Sequence, residues 1–294
     1  MQLSSQDPSD ILQIIERAIE QNPHSENLLN AFKPILVKQR QLAAQSDVAF
    51  ADLCALDKEK MKTGVALIRQ IELSGQPAAL KKIALDLINA VKEGIPNLKD
   101  SLDRLADHIE KDQILPADYL KPSEQSANRL KDERKPDLKD SPSNATFLIT
   151  LVSRVALEQA ARQAAPALDT VQWEKGYCPV CGDFPSIALI EEKEGRRFLH
   201  CSSCGHDWRY TRVVCPYCEN EAPEGMDYFY VENKSQEAAF VCDKCKRYLV
   251  TLYRVGHLLA RDMDVSAMAL VHLDMIMQDK GYTPMATCPW NVLK

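Results

Sequence analysis

The sequence predicts a mostly α N-terminal domain, two tandem small β modules each built round four cysteines, and a C-terminal helix. Three observations carry that expectation. Eight of the ten cysteines fall between Cys178 and Cys245 as four Cys-x-x-Cys pairs, separated by 19, 10 and 23 residues. The stretch also repeats itself. Cys178-Pro-Val-Cys181 is answered by Cys215-Pro-Tyr-Cys218 and Tyr210-Thr-Arg-Val213 by Leu252-Tyr-Arg-Val255, at an offset that grows from 37 to 42 residues. Finally, residues 9–165 carry apolar side chains at helical spacing.

In chain order, Ser9 to Gln21 reads as a helix capped by Ser9, with Ile11, Leu12, Ile14, Ile15, Ala18 and Ile19 on one face and Pro23 as its stop. Ser25 is positioned to cap a second segment bearing Leu28, Leu29, Phe32, Leu36 and Leu42, with Pro34 expected to kink or restart it. Ala49 to Leu73 reads as one helix with Phe50, Leu53, Leu56, Val65, Ile68 and Ile71 inward, broken at Gly75. Pro77 suits the first position of the next helix, whose face is Leu80, Ile83, Leu87 and Val91, and Gly94 lies past its end. Pro96 to Lys111 repeats the pattern with Leu98, Leu102, Leu105 and Ile109. Residues 121–143, rich in Lys, Pro and Ser, read as a mobile or loosely packed polar insertion, with a polar helix of frayed ends as the alternative. Asn144 is expected to cap an apolar helix running from Phe147 through Leu157 and stopping before Pro166. A last helix, about 262–280, is expected to pack back on the body. The domains are thus 1–168, all helical; 170–213 and 214–256, the two cysteine modules; and 257–294, the C-terminal helix and tail.

Within the first module, Ile187–Ile190 and Arg197–Leu199 flank a hairpin turn, and in the second Tyr228–Val231 and Ala238–Val241 do the same. A Cys-x-x-Cys turn aims two thiolates at one ion, and a second turn closes a tetrahedral four-sulfur site. The repeat favours sequential grouping over a cross-braced one: Cys178, Cys181, Cys201 and Cys204 as site 1, and Cys215, Cys218, Cys242 and Cys245 as site 2. Modules of about 40 residues are too small to hold a core unaided, and a structural metal supplies roughly 10–16 kcal/mol of apparent binding free energy. Zinc and iron both suit four thiolates.

Glycine directly after the second cysteine allows the left-handed turn that points backbone N–H groups at sulfur. Gly182 and Gly205 meet that need; Glu219 and Lys246 do not, so site 1 is expected to be the better formed. His200 and His206 flank the second pair, but four cysteines already complete the site. Trp173, Trp208 and Tyr177 read as an apolar jacket for it, and Cys54 and Cys288 as inert thiols.

The N-terminus carries no secretory signature, which disfavours a disulfide framework and points to the cytosol. No apolar run reaches the ~20 residues that span a bilayer. The net charge is −6, and from Val171 to Gly256 there are 11 basic against 13 acidic residues. Phosphate contact needs a basic face, so a zinc-ribbon nucleic-acid binder or general protein-interaction module is the weaker alternative. No partnered nucleophile, His-Glu zinc helix or phosphate loop is present, and a closed site offers substrate no coordination position. The chain is expected to be non-catalytic.

The segments Trp173-Glu-Lys-Gly-Tyr-Cys-Pro-Val-Cys-Gly182, Gly195-Arg-Arg-Phe-Leu-His-Cys-Ser-Ser-Cys-Gly205, Trp208-Arg-Tyr-Thr-Arg212 and Cys242-Asp-Lys-Cys-Lys-Arg-Tyr-Leu249 resemble the formate dehydrogenase accessory protein family FdhE. The resemblance is specific over 170–285; the tail from Cys288 departs from the family. It implies two rubredoxin-like sites holding two iron ions, with zinc as alternative occupant and a redox role open to the iron. It also implies a cytoplasmic role in maturing formate dehydrogenase through contact with its catalytic subunit. Tyrosine is favoured in interface anchors, which makes Tyr217, Tyr228, Tyr230, Tyr248 and Tyr253 the candidate partner-binding residues.

Overall fold

The computed structural model describes residues 10–45, 56–70, 77–116, 142–255 and 262–291. The expected Ser9 cap, Cys54, Gly75 and most of the 121–143 insertion lie outside the described residues. Five long helices build the N-terminal layer: α1 (Asp10–Gln21), α2 (Glu26–Gln45), α4 (Pro77–Gly94), α5 (Lys99–Glu110) and α6 (Pro142–Leu168), with a short α3 (Lys58–Lys62) between α2 and α4. Their apolar stripes meet in one core that includes Ile15, Leu29, Ile35, Leu87, Val91, Leu102 and Val155. That core continues without a break to Cys178, Cys201, Cys204, Cys215 and Cys242.

Several local expectations are corrected. Ser25 does not cap α2: it closes a 3-10 turn, and its hydroxyl donates back to the Asn22 carbonyl at 2.7 Å. Helix α2 continues through Pro34 as one helix, with Leu29, Phe32, Ile35 and Leu36 buried, and the Gly94 end of α4 lies against that proline. The helix expected over Ala49–Leu73 does not span its described part. Asp57 caps only the five residues of α3, accepting from the N–H groups of Glu59 and Lys60, and the chain turns at Gly64 with φ +93°. The N–H groups of Leu67 and Ile68 then find carbonyls at Pro179 and Val180, at 2.8 and 2.9 Å, instead of in a helix. Helix α6 begins at Pro142, where a missing N–H costs nothing, and Asn144 instead donates to the Ser101 hydroxyl at 2.8 Å. It also runs past Pro166 to Leu168, the proline falling in its last turn.

Strands β1 (Ile187–Glu191), β2 (Arg197–His200) and β3 (Asp207–Tyr210) come from the first module; β4 (Met226–Val231), β5 (Lys234–Cys242) and β6 (Arg247–Val255) come from the second. Both hairpins form, β1 with β2 and β4 with β5. The six strands join in a single sheet ordered β3-β2-β1-β6-β5-β4. The seam is β1 against β6, parallel, with Ile187 opposite Val250 and Leu189 opposite Leu252. Strand β6 has nine residues, so its later half reaches beyond the cysteines and is paired on both edges. A short β7 (Thr283–Pro284) adds to its first half.

One sheet face turns to the helices and cysteines; the other packs Leu189, Val241, Tyr248 and Val250 on Met263, Leu270, Leu273 and Met277. The last helix is two, α7 (Met263–Ala269) and α8 (Val271–Asp279), broken at Leu270. The break lets α7 pack on α1 and α2 while α8 packs on β5 and β6. The tail folds back too: Trp290 meets Phe32 edge-on at 6.1 Å.

Candidate metal centres

Three of the knuckles are tight turns closed by their own backbone. In site 1 the N–H of Gly182 reaches the carbonyl of Cys178, and that of Gly205 reaches the carbonyl of Cys201; in site 2 Glu219 does the same for Cys215. All four residues after a second cysteine lie in the left-handed region: Gly182 at +85°, Gly205 at +72°, Glu219 and Lys246 at +54°. Site 2 therefore keeps the turn despite lacking glycine, at a cost of roughly 1 kcal/mol per side chain so held.

The structure brings Cys178, Cys181, Cys201 and Cys204 together, and separately Cys215, Cys218, Cys242 and Cys245; within each group the sulfurs lie within 4.8 Å of one another. None of the eight forms a disulfide. Four thiolates at ~2.3 Å from a central ion stand about 3.8 Å apart. Across site 2 the spacing is 3.9 Å for Cys215–Cys245 and 3.8 Å for Cys218–Cys242, and across site 1 it is 3.4 Å for Cys178–Cys204 and Cys181–Cys201. The donor set and its spacing fit one tetrahedral metal ion per cluster. Site 1 is fully buried, whereas Cys218 and Cys245 leave site 2 half-exposed on one side.

Neither histidine joins a cluster. His200 lies between two carboxylates, Nδ1 at 2.7 Å from Asp207 and Nε2 at 3.1 Å from Asp264. Burial opposes its charge, but the two carboxylates outweigh burial and raise it to about 10. His206 is buried without such a partner and is pushed down to about 4. Trp208 is buried, and Trp173 and Tyr177 are half-buried beside site 1, with indole N–H groups spent on the carbonyls of Lys175 and Tyr177. Cys288 is buried in the tail.

The functional positions that sequence reasoning missed are charged ones. Arg40 of α2 and Arg154 of α6 each donate to the Asp264 carboxylate at 2.9 Å; Arg40 also reaches Asp262 at 2.8 Å, and Arg154 pairs with Glu158 at 2.9 Å. Burial opposes the ionised form of Asp264, yet Arg154, His200 and Arg40 hold it well below the usual carboxylate range. This network fastens the helices, the second knuckle of site 1 and α7 to one another. Gly205 shows how close the fit is: a Cβ there would stand 2.1 Å from Nη1 of Arg154. A similar approach joins the modules, since a Cβ on Gly176 would stand 1.9 Å from the Pro216 carbonyl oxygen. The available signal was Asp262 and Asp264 opening an otherwise apolar helix, and Arg197 inside an apolar strand.

Of the five candidate tyrosines, Tyr248 is corrected: it is 1% exposed and donates its hydroxyl to Asp274 at 2.6 Å, so it belongs to the core. Tyr217 is half-buried between Phe184 and the Arg247 guanidinium. Tyr228, Tyr230 and Tyr253 form one cluster, with ring centroids 5.3–6.3 Å apart, and Tyr230 is 48% exposed. Arg212 donates to the Tyr253 hydroxyl at 2.8 Å.

Known proteins resemble this chain at three levels. A family model described as FdhE, central domain, matches residues 177–212, the stretch holding site 1. The FdhE homolog of Aquifex aeolicus is 28% identical over 276 residues, covering 90% of this chain and 88% of that one. The FdhE protein of Escherichia coli K12 is 33% identical over 125 residues, 40% of this chain and 38% of its own length. The crystal structure of FdhE from Pseudomonas aeruginosa shares the fold, with a TM-score of 0.60 at 18% identity over 97% of this chain and 96% of that one. Its cysteine knuckles, its long alignment with the Aquifex aeolicus protein and its fold all make this chain similar to the FdhE proteins.

Proposed function

We propose that this chain is a non-catalytic accessory protein of formate dehydrogenase maturation that binds the catalytic subunit of that enzyme in the cytoplasm. Similarity to the FdhE proteins supports the accessory role. The observation that carries the reading further is the closed geometry of both clusters: four cysteines surround each centre, which leaves substrate no open ligand position. Such centres hold shape or pass single electrons. Iron is the proposed occupant, because all four knuckles adopt the left-handed turn that aims backbone donors at sulfur; zinc is the alternative. The half-exposed side of site 2 is where an electron would leave, and site 1 is the structural anchor. No described helix is long and apolar enough to cross a membrane.

The proposed docking surface is the Tyr228, Tyr230 and Tyr253 cluster beside Arg212 and Arg254. It offers rigid aromatic area rimmed by cations, the composition of interface anchors. The test is co-purification with tagged catalytic subunit, using the whole protein and a Tyr230→Ala/Tyr253→Ala variant, with formate dehydrogenase activity measured in a complemented deletion strain. The variant should lose capture and fail to restore activity. Capture undiminished in the variant would move the surface elsewhere, and normal activity in the deletion strain would remove the accessory role.

A further inference from the structure

We propose that Arg197, a residue of the first module, is the counter-cation of the second cysteine centre, so that its buried charge is balanced by the metal-bound thiolates of Cys215 and its partners. Arg197 sits at the start of β2 and is 1% exposed. Among the described residues no carboxylate pairs with it. Its Nη2 donates to the carbonyls of Thr211 and Val214, both at 2.5 Å, and Val214 immediately precedes Cys215. The guanidinium lies over the rings of Tyr210 and Phe240, 5.1 and 5.6 Å from their centroids. Nε and Nη1 make no hydrogen bond of good geometry, and the neutral Tyr228 hydroxyl lies beside the guanidinium.

A guanidinium stays protonated inside a protein, and an uncompensated buried charge costs several kcal/mol. Two carbonyls and two aromatic faces soften that cost without cancelling a full charge. Among the groups that act most strongly on Arg197, those able to carry negative charge are Tyr228, Tyr210 and the Cys215 sulfur. Burial drives both tyrosines upward, so they stay neutral. Cys215 remains. Four thiolates around a divalent ion carry a net charge of about −2, which the Arg197 charge partly neutralises.

The contrast with site 1 is informative. The arginine beside that centre, Arg154, already has Glu158 and Asp264 as carboxylate partners. Arg197 has none. Its position on β2 also means that the first module contributes to the second centre.

The inference rests on the reading that site 2 holds a metal ion, and the experiment separates the two. The full chain, its Arg197→Met and its Arg197→Lys variants are loaded with cadmium, and each centre is followed by cadmium NMR correlated to its cysteine β-protons during chelator competition. Arg197→Met should weaken site 2 by roughly 10–100-fold, the range for groups that support metal ligands from outside the coordination sphere, and leave site 1 unchanged. Arg197→Lys should recover most of the loss. Thermal melting supplies a second readout of opposite sign: Arg197→Met should lower the midpoint of the loaded protein and leave that of the metal-free protein unchanged or raised. Equal weakening by Met and Lys, or full retention in Arg197→Met, overturns the proposal while the metal reading stands. A wild-type chain with no cadmium at site 2 overturns both.

Discussion

His200 Nε2 lies 3.1 Å from Asp264 Oδ1, a contact that joins the residue before a site 1 cysteine to the first turn of α7. The other oxygen of that carboxylate receives Arg40 and Arg154. Asp264 is therefore an anion on which two helices and a cysteine knuckle converge. Asp264→Asn would leave three buried cations short of a charge, and breaking a buried pair in this way costs about 3–5 kcal/mol. Denaturant unfolding should show a loss of that order. A change below about 1 kcal/mol, the scale of a surface pair, would remove the network from the list of what holds the layers together.

Gly205 and Gly281 both have positive φ, +72° and +85°, but differ in their surroundings. An added Cβ at Gly281 meets nothing within 4 Å, whereas at Gly205 it runs into Arg154. Gly281→Ala should cost about 1 kcal/mol of backbone strain. Gly205→Ala should cost that plus displacement of a buried ion pair, at least 2–3 kcal/mol more, and should release site 1 metal faster. Equal losses for the two variants would mean that Arg154 yields freely.

Glu219 holds a φ of +54° where glycine would be unstrained. Glu219→Gly should slow metal loss from site 2, through relief of about 1 kcal/mol of strain. Its half-exposed ion pair with Lys175, at 3.2 Å, offsets little of this. The measurement is the rate of zinc or iron release to a coloured chelator. An unchanged or faster rate counts against a strained knuckle.

Asp274 is raised from 3.8 to about 6, mainly by burial and despite accepting a hydrogen bond from Tyr248. A carboxyl whose folded value lies above its unfolded one stabilises the fold fully below about pH 4, and that contribution is lost as pH rises through 6. Asp274→Asn keeps an acceptor for Tyr248 and cannot ionise. It should raise stability at pH 7 by up to about 3 kcal/mol, since one pKa unit is worth ~1.4 kcal/mol, and change little at pH 4. A stability difference that does not vary between those pH values would show that the fold does not raise Asp274 above its ordinary value.

Sequence alone determined the helical layer, the two hairpins and the eight cysteines with their grouping in fours, because each rests on local spacing. Apolar residues at every third or fourth position make a helix stripe wherever it packs, and a Cys-x-x-Cys turn aims two sulfurs whatever surrounds it. Tertiary structure decided the rest. After α3 the chain does not resume an α-helix, because Leu67 and Ile68 find carbonyl partners on the first knuckle. Pro34 and Pro166 stay inside helices because packing outweighs one missing hydrogen bond. The two modules merge into one sheet because β6 extends past its own cysteines to meet β1. Asp264 and Arg154 acquire their roles from partners 64 to 224 positions away, and Arg197 from the carbonyl just before the first cysteine of the other module. Charge pairing at that separation leaves no period or spacing in the chain; it exists only once folding has removed water from between the groups.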